Sequence, residues 1–334
     1  MQSYQIGPNE AGQRFDKFLH KYMPMAGTSF FYKMLRKKNI TLNGKKAEGK
    51  EILAVGDQIA FFFSDETFLK FRGMAGQNQE QGKLFTNLKE YEKAFTSLKG
   101  IQIIYEDEHV LILNKPAGIL SQKAEQGDVS LNEWLIGYLL SEGKISDTEL
   151  ETFKPSVCNR LDRNTSGLVL AGKSLKGSQE LGRVIREREI GKFYRTFVKG
   201  QMKEGARITG RLFKDEKTNK VTVGDTKGDP IETAYMPLKC YPDMTYLEVE
   251  LITGKTHQIR AHLSSIGHPI LGDAKYGNRS FNEKIGKEFD IKWQLLHAYR
   301  MEFPVMEGTL EALSEKVFTA PLPGIYQKIL QKRG

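Results

Sequence analysis

Strand-like apolar runs and helical stretches follow one another irregularly along this chain, and that order constrains the fold more than any bulk property. Two apolar runs, 101–105 and 109–113, flank the acidic Glu106-Asp107-Glu108 and read as paired strands. Helical spacing follows around 130–141 and 174–189, where Leu181, Val184 and Ile185 recur on one face. KFYRTFV (192–198), TNKVTV (218–223) and TYLEVELI (245–252) read as further strands. Strict strand–helix alternation would predict a doubly wound parallel sheet; its absence predicts an α+β chain. No internal repeat of solenoid period is visible.

The N-terminal part has a grammar of its own. GQRFDKFLHKYMP reads as a helix stopped by Pro24, and Thr28 or Ser29 can cap a second helix, FFYKMLRKK. At 100° per residue Phe31 and Leu35 share one face, with Lys33, Arg36 and Lys37 clustered opposite. ITLNGKKA then carries Asn43-Gly44 between extended runs, the signal of a tight hairpin, with Lys45 and Lys46 just beyond it. The chain carries a formal charge of +9, and nearly all the excess falls here: residues 12–50 hold ten Lys and Arg against Asp16 and Glu48. A basic helical face suits a phosphate backbone, because each neutralised phosphate releases counterions.

Residues 64–97 change character. GMAGQNQEQGK is polar, Gly/Gln-rich and aperiodic, so a flexible linker is expected there. The expected organisation is a small basic domain at 12–63, a linker at 64–97 and a second domain at 98–330. At 334 residues, 39% apolar and 27% charged, the chain is long enough for a substantial core and reads as globular and soluble. No run of 18 apolar residues spans a membrane, and MQSYQIGPNE lacks the pattern of an export signal. Cys158 and Cys240 stand alone, which argues against disulfides and zinc and fits a reducing cytoplasm.

Three stretches carry candidate chemistry. CNRLDRNTSGLVLAGK (158–173) crowds Arg160, Asp162 and Arg163 against turn formers before a buried-looking strand; a plain turn is its bland reading. In KFYRTFV, Tyr194 and Thr196 project to one face of the strand, where core packing alone would account for the tyrosine. GKTHQIRAHLSSIGHP (254–269) reads as a helix from about 257 to 266, closed by Gly267 with Pro269 beyond. Ile259, Leu263 and Ile266 form its expected buried face, and His257, Arg260 and Ser264 fall within about 60° of one another opposite. A solvated polar face is the alternative there. His257 and His262 point about 140° apart, too divergent for a metal pair.

These stretches carry a resemblance. NKPAG (114–118), RLDRNTSGLVLAGK (160–173), KFYRTFV (192–198), TGKTHQIRAHL (253–263) and LLHAYRMEFP (295–304) occur in the order found in RluA-type pseudouridine synthases. Residues 12–63, with RFDKFL, the second helix, NGKKA and AVGDQI, resemble a small RNA-binding domain first described in a ribosomal protein. The pairing is similar to the RluC/RluD-like branch, which modifies large-subunit ribosomal RNA. The resemblance implies a mixed, mainly antiparallel β-sheet flanked by helices, preceded by a small α/β RNA-binding domain.

It also implies roles. Asp162 stands where the family has its catalytic aspartate. Tyr194 matches an aromatic that stacks on the target base and assists its deprotonation. Arg260 matches the aspartate's basic partner, and Arg160 an arginine that inserts into or rearranges the RNA. Lys115, His257 and Gln258 are expected to bind substrate, and Lys33, Arg36, Lys37, Lys45 and Lys46 to bind RNA. Asn159 replaces a histidine common in the family. A base within folded RNA must be flipped out before it can react. The isomerisation involves no redox or hydrolysis, so no cofactor and no metal are expected. The expected partner is ribosomal RNA, with no membrane, and the expected state is a cytoplasmic monomer. Addition by Asp162 and abstraction of a ribose proton both remain open. Three rivals stand beside this reading. A glycosidase needs two carboxylates flanking the bond; Glu106-Asp107-Glu108 could supply a second, yet it reads better as a hairpin turn. The others are a non-catalytic RNA-binding protein and a synthase acting on transfer RNA.

Overall fold

The computed structural model describes residues 1–73, 80–147, 149–215, 220–224 and 226–333. It resolves into two units: 1–98 with 132–156 and 172–178, and 99–131 with 157–171 and 179–334.

In the first unit, β1 (Gln2–Gln5) precedes α1 (Phe15–Tyr22) and α2 (Thr28–Arg36). β2 (Ile40–Leu42), β3 (Lys45–Lys46) and β4 (Gln58–Phe61) follow. The four strands form one sheet in the order β1-β4-β2-β3. Asn43 and Gly44 both have positive φ, 51° and 70°, as a two-residue turn whose twist matches its strands requires. Phe15, Phe18, Phe31, Leu35 and Phe61 close the core, while Lys33, Arg36, Lys37, Lys45 and Lys46 are exposed as expected. Two details differ. The N-cap of α2 is Gly27 with no side-chain bond, and Thr28 turns its hydroxyl to the His20 ring at 3.3 Å. The unit also starts before residue 12, because β1 pairs with β4 and Ile6 is buried; Tyr4 and Ile6 alone are too short a pattern to read as a strand.

The expected linker contains helices. α3 (Asp65–Arg72) is capped by Ser64, whose hydroxyl accepts from Thr67 N–H, and ends on Gly73 in the left-handed region. α4 is Glu80–Ser97. Residues 74–79, the centre of the Gly/Gln-rich stretch, lie outside the described residues. Among the described residues no helix is long and apolar enough to cross a membrane.

The chain continues through β5 (Gln102–Glu106), β6 (Val110–Lys115) and α5 (Leu131–Ser141). The expected single domain at 98–330 is interrupted, since 132–156 groups with the first unit. Within that unit Gly137 meets α4 so closely that a Cβ would lie 2.3 Å from the Tyr91 carbonyl oxygen, and Trp134 packs on Phe95. After β7 (Ser156–Val157) come β8 (Ser166–Gly172), α6 (Leu175–Arg186) and β9 (Gly191–Lys199). Next are β10 (Ala206–Asp215), β11 (Lys220–Gly224), β12 (Asp229–Cys240) and β13 (Met244–Leu251). α7 (Gln258–Ser265), α8 (Arg279–Phe289), β14 (Leu296–Glu302), β15 (Val317–Thr319) and α9 (Gly324–Arg333) complete the chain.

The second sheet runs β11-β10-β12-β13-β9-β14-β8-β6-β5, with β7 on β8 and β15 on β14. β10 pairs antiparallel with β11 and β12, β13 with β12 and β9, β14 with β9 and β15, and β5 with β6, while β14 and β8 run parallel, so the expected mixed, mainly antiparallel α+β architecture is what forms. Phe197 and Tyr246 turn toward α8 and α9, packing with Phe281, Ile285, Tyr326 and Ile329. Period-2 alternation then sends Tyr194 to the other face. α7 seats Ala261 with Leu212 of β10, Val221 of β11, Ile231 of β12 and Tyr276 of the turn after Asp273. Of its expected apolar face, Ile259 and Leu263 are buried but Ile266 is 37% exposed. The helix ends at Ser265, so the backbone of Ile266 leaves helical geometry and carries the side chain off the buried stripe.

Candidate active site

The loop from 158 to 165 is held by groups on both sides of Asp162. Before it, the Ser121 hydroxyl donates to the Leu161 carbonyl at 2.9 Å and accepts from Leu161 N–H at 3.0 Å. After it, the Arg163 carbonyl accepts from Gly118 N–H at 2.8 Å and from the Lys115 ammonium at 3.1 Å. Thr165 N–H closes the turn on the Asp162 carbonyl. Asn159 braces the loop to β8, its side-chain oxygen accepting from Leu170 N–H at 2.7 Å. Gly167 is required by approach: at φ 113°, a Cβ there would lie 2.2 Å from the Ala298 carbonyl oxygen of β14. The glycine of RNTSG therefore serves strand packing, and the turn itself falls at Arg163-Asn164.

Arg260 brings the sequence-distant parts together. Its Nη1 donates to Asp162 Oδ2 at 2.7 Å, while Nε and Nη2 fork onto Asp273 at 2.7 and 2.9 Å. Arg260 is 7% exposed and Asp273 1%, so the expected alternative of a solvated helix face does not hold. The planar fork spends one edge on Asp273 and aims the remaining nitrogen at Asp162, which a point-charge ammonium could not do. Burial opposes the guanidinium's charge, but Asp273 and then Asp162 outweigh it and raise its pKa above the ordinary range. For Asp273 burial pushes upward, and Arg260 with the N–H groups of Tyr276 and Lys275 pulls the pKa below the usual carboxylate value.

His257 stands at the N-cap of α7 with φ 56°. Its Nδ1 lies 3.0 Å from the Tyr276 hydroxyl, and its Nε2 faces Asp162 Oδ1 at 3.9 Å. Burial lowers its pKa, partly offset by Asp162. Tyr194, on β9, is buried. Burial first, then the charge of Asp162, push its phenol well above the ordinary value, so at neutral pH the hydroxyl is a donor and not a base. Asp162, Tyr194, His257 and Arg260 line one cleft of about 720 Å³, with Arg160 exposed at its wall.

Two expected substrate contacts are placed otherwise. Lys115 is 0% exposed and gives its ammonium to the carbonyls of Pro116, Ile119 and Arg163; burial lowers its pKa to about 7, opposed by Asp162. Three carbonyls satisfy all three of its donors, leaving none for a ligand. Gln258 borders the cleft but uses its amide on Glu232, Thr233, Thr253 and Lys255. Asp273 was not foreseen: in HPILGDAKYG it reads as an ordinary turn acid, and no spacing ties it to a helix 13 residues earlier.

The fold that carries this cleft has counterparts among solved structures. The structure of human RNA Pseudouridylate Synthase Domain Containing 4 covers 74% of this chain and 97% of its own, with a TM-score of 0.56 at 21% identity, which establishes the shared fold. Residues 109–265 match the RNA pseudouridylate synthase family. An uncharacterized RNA pseudouridine synthase of Mycoplasma genitalium is 31% identical over 90% of this chain and 88% of its own length. The ribosomal large subunit pseudouridine synthase C of Vibrio parahaemolyticus is 30% identical over 99% of this chain and 96% of its own. The chain belongs to the RNA pseudouridine synthase family, and is an isomerase acting on RNA.

Proposed function

We propose that this enzyme converts specific uridines of large-subunit ribosomal RNA to pseudouridine, with Asp162 as the catalytic carboxylate. The observation that carries this is the Asp162–Arg260 pair lining the cleft, with buried Asp273 gripping Arg260 from outside it. Full-length similarity to relatives named for the ribosomal large subunit supports the substrate class. The basic face of α2 with Lys45 and Lys46 supports ribosomal RNA as partner, and residues 12–63 form most of that RNA-binding unit.

The chemistry follows from the side chains. A flipped uridine enters the cleft, the cost of unstacking being offset by stacking on Tyr194 and by backbone contacts. Asp162 acts on the ribose–uracil unit as the glycosidic bond breaks, held in register by the Arg260 nitrogen. Confinement keeps the detached uracil near the ribose while it turns and rejoins through carbon. The Tyr194 hydroxyl, kept protonated, donates to the base rather than abstracting from it. Arg160, exposed at the wall, contacts the displaced RNA. The enzyme is taken to work as a cytoplasmic monomer. Mapping pseudouridines in the large-subunit RNA of cells lacking the gene tests this: one or more positions should revert to uridine and be restored by the wild-type gene. An unchanged map would reject the substrate.

A further inference from the structure

We propose that Lys192 is the contact for a backbone phosphodiester of the flipped nucleotide, placed one pleat from the ring on which its base stacks. Lys192 lies on β9 two residues before Tyr194, so both project from the same face, roughly 7 Å apart by strand geometry. That distance is of the order of the span from a base to its own phosphate.

Lys192 lines the same cleft as Asp162 and Arg260. The cleft wall beside it is the turn before α7, where a Cβ on Gly254 would lie 4.0 Å from the Lys192 nitrogen. Two other cations of the cleft are neutralised within the protein, Arg260 by two carboxylates and Lys255 by Asp229 at 2.7 Å, whereas Arg160 stands exposed at the wall. Lys192 has neither a carboxylate nor a hydrogen-bond acceptor among the described residues. Burial, and after it the neighbouring cation Arg188, lower the pKa of its half-buried ammonium. A half-buried ammonium beside a like charge is costly unless an anion arrives. In an enzyme that takes an RNA nucleotide into this cleft, a phosphodiester is the anion at hand. Tyr194 then holds the base, Asp162 faces the ribose and Lys192 holds the backbone, which fixes the nucleotide at three points.

The proposal rests on the reading of the chain as a ribosomal RNA pseudouridine synthase, and the experiment separates the two. Filter binding of a large-subunit ribosomal RNA transcript across a KCl series is combined with pseudouridine formation for wild type, Lys192→Gln and Lys192→Arg. Lys192→Gln should weaken binding about tenfold, the scale of one lost charge-assisted bond, and lower the log–log salt slope by about 0.7 to 1. Lys192→Arg should keep the slope. The rate at saturating enzyme should stay within about threefold, because the loss falls on binding. If Lys192→Gln melts early, Lys192→Met, which keeps the apolar stem, replaces it. A stem-loop around the modified uridine, carrying a neutral methylphosphonate next to it, then locates the charge. Wild type should lose about tenfold and Lys192→Gln should not respond. An unchanged salt slope, or a variant as sensitive to the methylphosphonate as wild type, would overturn the assignment. A wild-type enzyme that makes no pseudouridine in this RNA while the slope still falls would instead reject the substrate and leave the phosphate contact standing.

Discussion

Replacing Asp273 by Asn tests whether the aim of Arg260 is set from behind. Asp273 Oδ1 accepts from Arg260 Nη2, Lys275 N–H and Tyr276 N–H, and Oδ2 accepts from Arg260 Nε. Asn keeps the first set through its carbonyl but turns an NH2 toward Nε, so two donors meet where a charge-assisted bond was. The pair is buried, so solvent screens little of the loss. A broken buried pair costs about 3–5 kcal/mol, and one surviving bond places the effect near the lower end, about 3 kcal/mol. If half of that appears as misaiming of Nη1 away from Asp162, pseudouridine formation slows about tenfold, since about 1.4 kcal/mol is a factor of ten. The pH dependence has a definite sign. Asp273 has its pKa lowered in the folded state, so its contribution is present above the unfolded value of about 3.9 and is lost as pH falls through the lower folded value. Urea unfolding from pH 7 down to 3, with single-turnover rates at pH 7, gives both quantities. Wild type should lose stability more steeply than Asp273→Asn below about pH 4. A variant that is destabilised yet turns over at the wild-type rate would refute the idea that Asp273 aims Arg260.

Arg260→Lys keeps a charge but cannot grip both carboxylates, so single-turnover formation should fall about a hundredfold with RNA affinity nearly unchanged; loss of affinity with the rate retained would make Arg260 a phosphate contact. Gly167→Ala pushes a methyl into the Ala298 carbonyl of β14 and should cost about 3 kcal/mol or more in thermal or urea unfolding, whereas a silent substitution would show that β8 and β14 can separate. Lys33, Arg36 and Lys37 changed together to Gln should lower the salt slope of ribosomal RNA binding by about 2 to 3; no change would leave that helix face merely solvated.

What could be read from the sequence was what is local. The Asn43-Gly44 turn, the faces of α2 and the alternation of β9 follow from steric and periodic rules that act within a few residues, and each formed as expected. Asp162, Tyr194 and Arg260 were expected together from a resemblance, and they share one cleft. Asp273 could not be found, because its role exists only once the chain after α7 folds back beneath Arg260. Lys115 and Gln258 were misjudged for a related reason. Polar residues in a functional stretch suggest ligand contacts, but here the donors of Lys115 go to loop carbonyls, and those of Gln258 to the Glu232 carbonyl and the Thr233 hydroxyl. Ser64 and Gly73 show the converse: capping residues inside a polar, aperiodic stretch still define a helix.

The most direct measurement is single-turnover pseudouridine formation by Asp162→Asn on large-subunit ribosomal RNA, alongside its binding constant and melting curve. Asn is nearly isosteric and can still meet Arg260 with its carbonyl oxygen, so the variant should fold and bind RNA within about threefold of wild type. It should form no measurable pseudouridine, because the carboxylate is gone. Turnover near the wild-type rate in the folded variant would contradict Asp162 as the catalytic group.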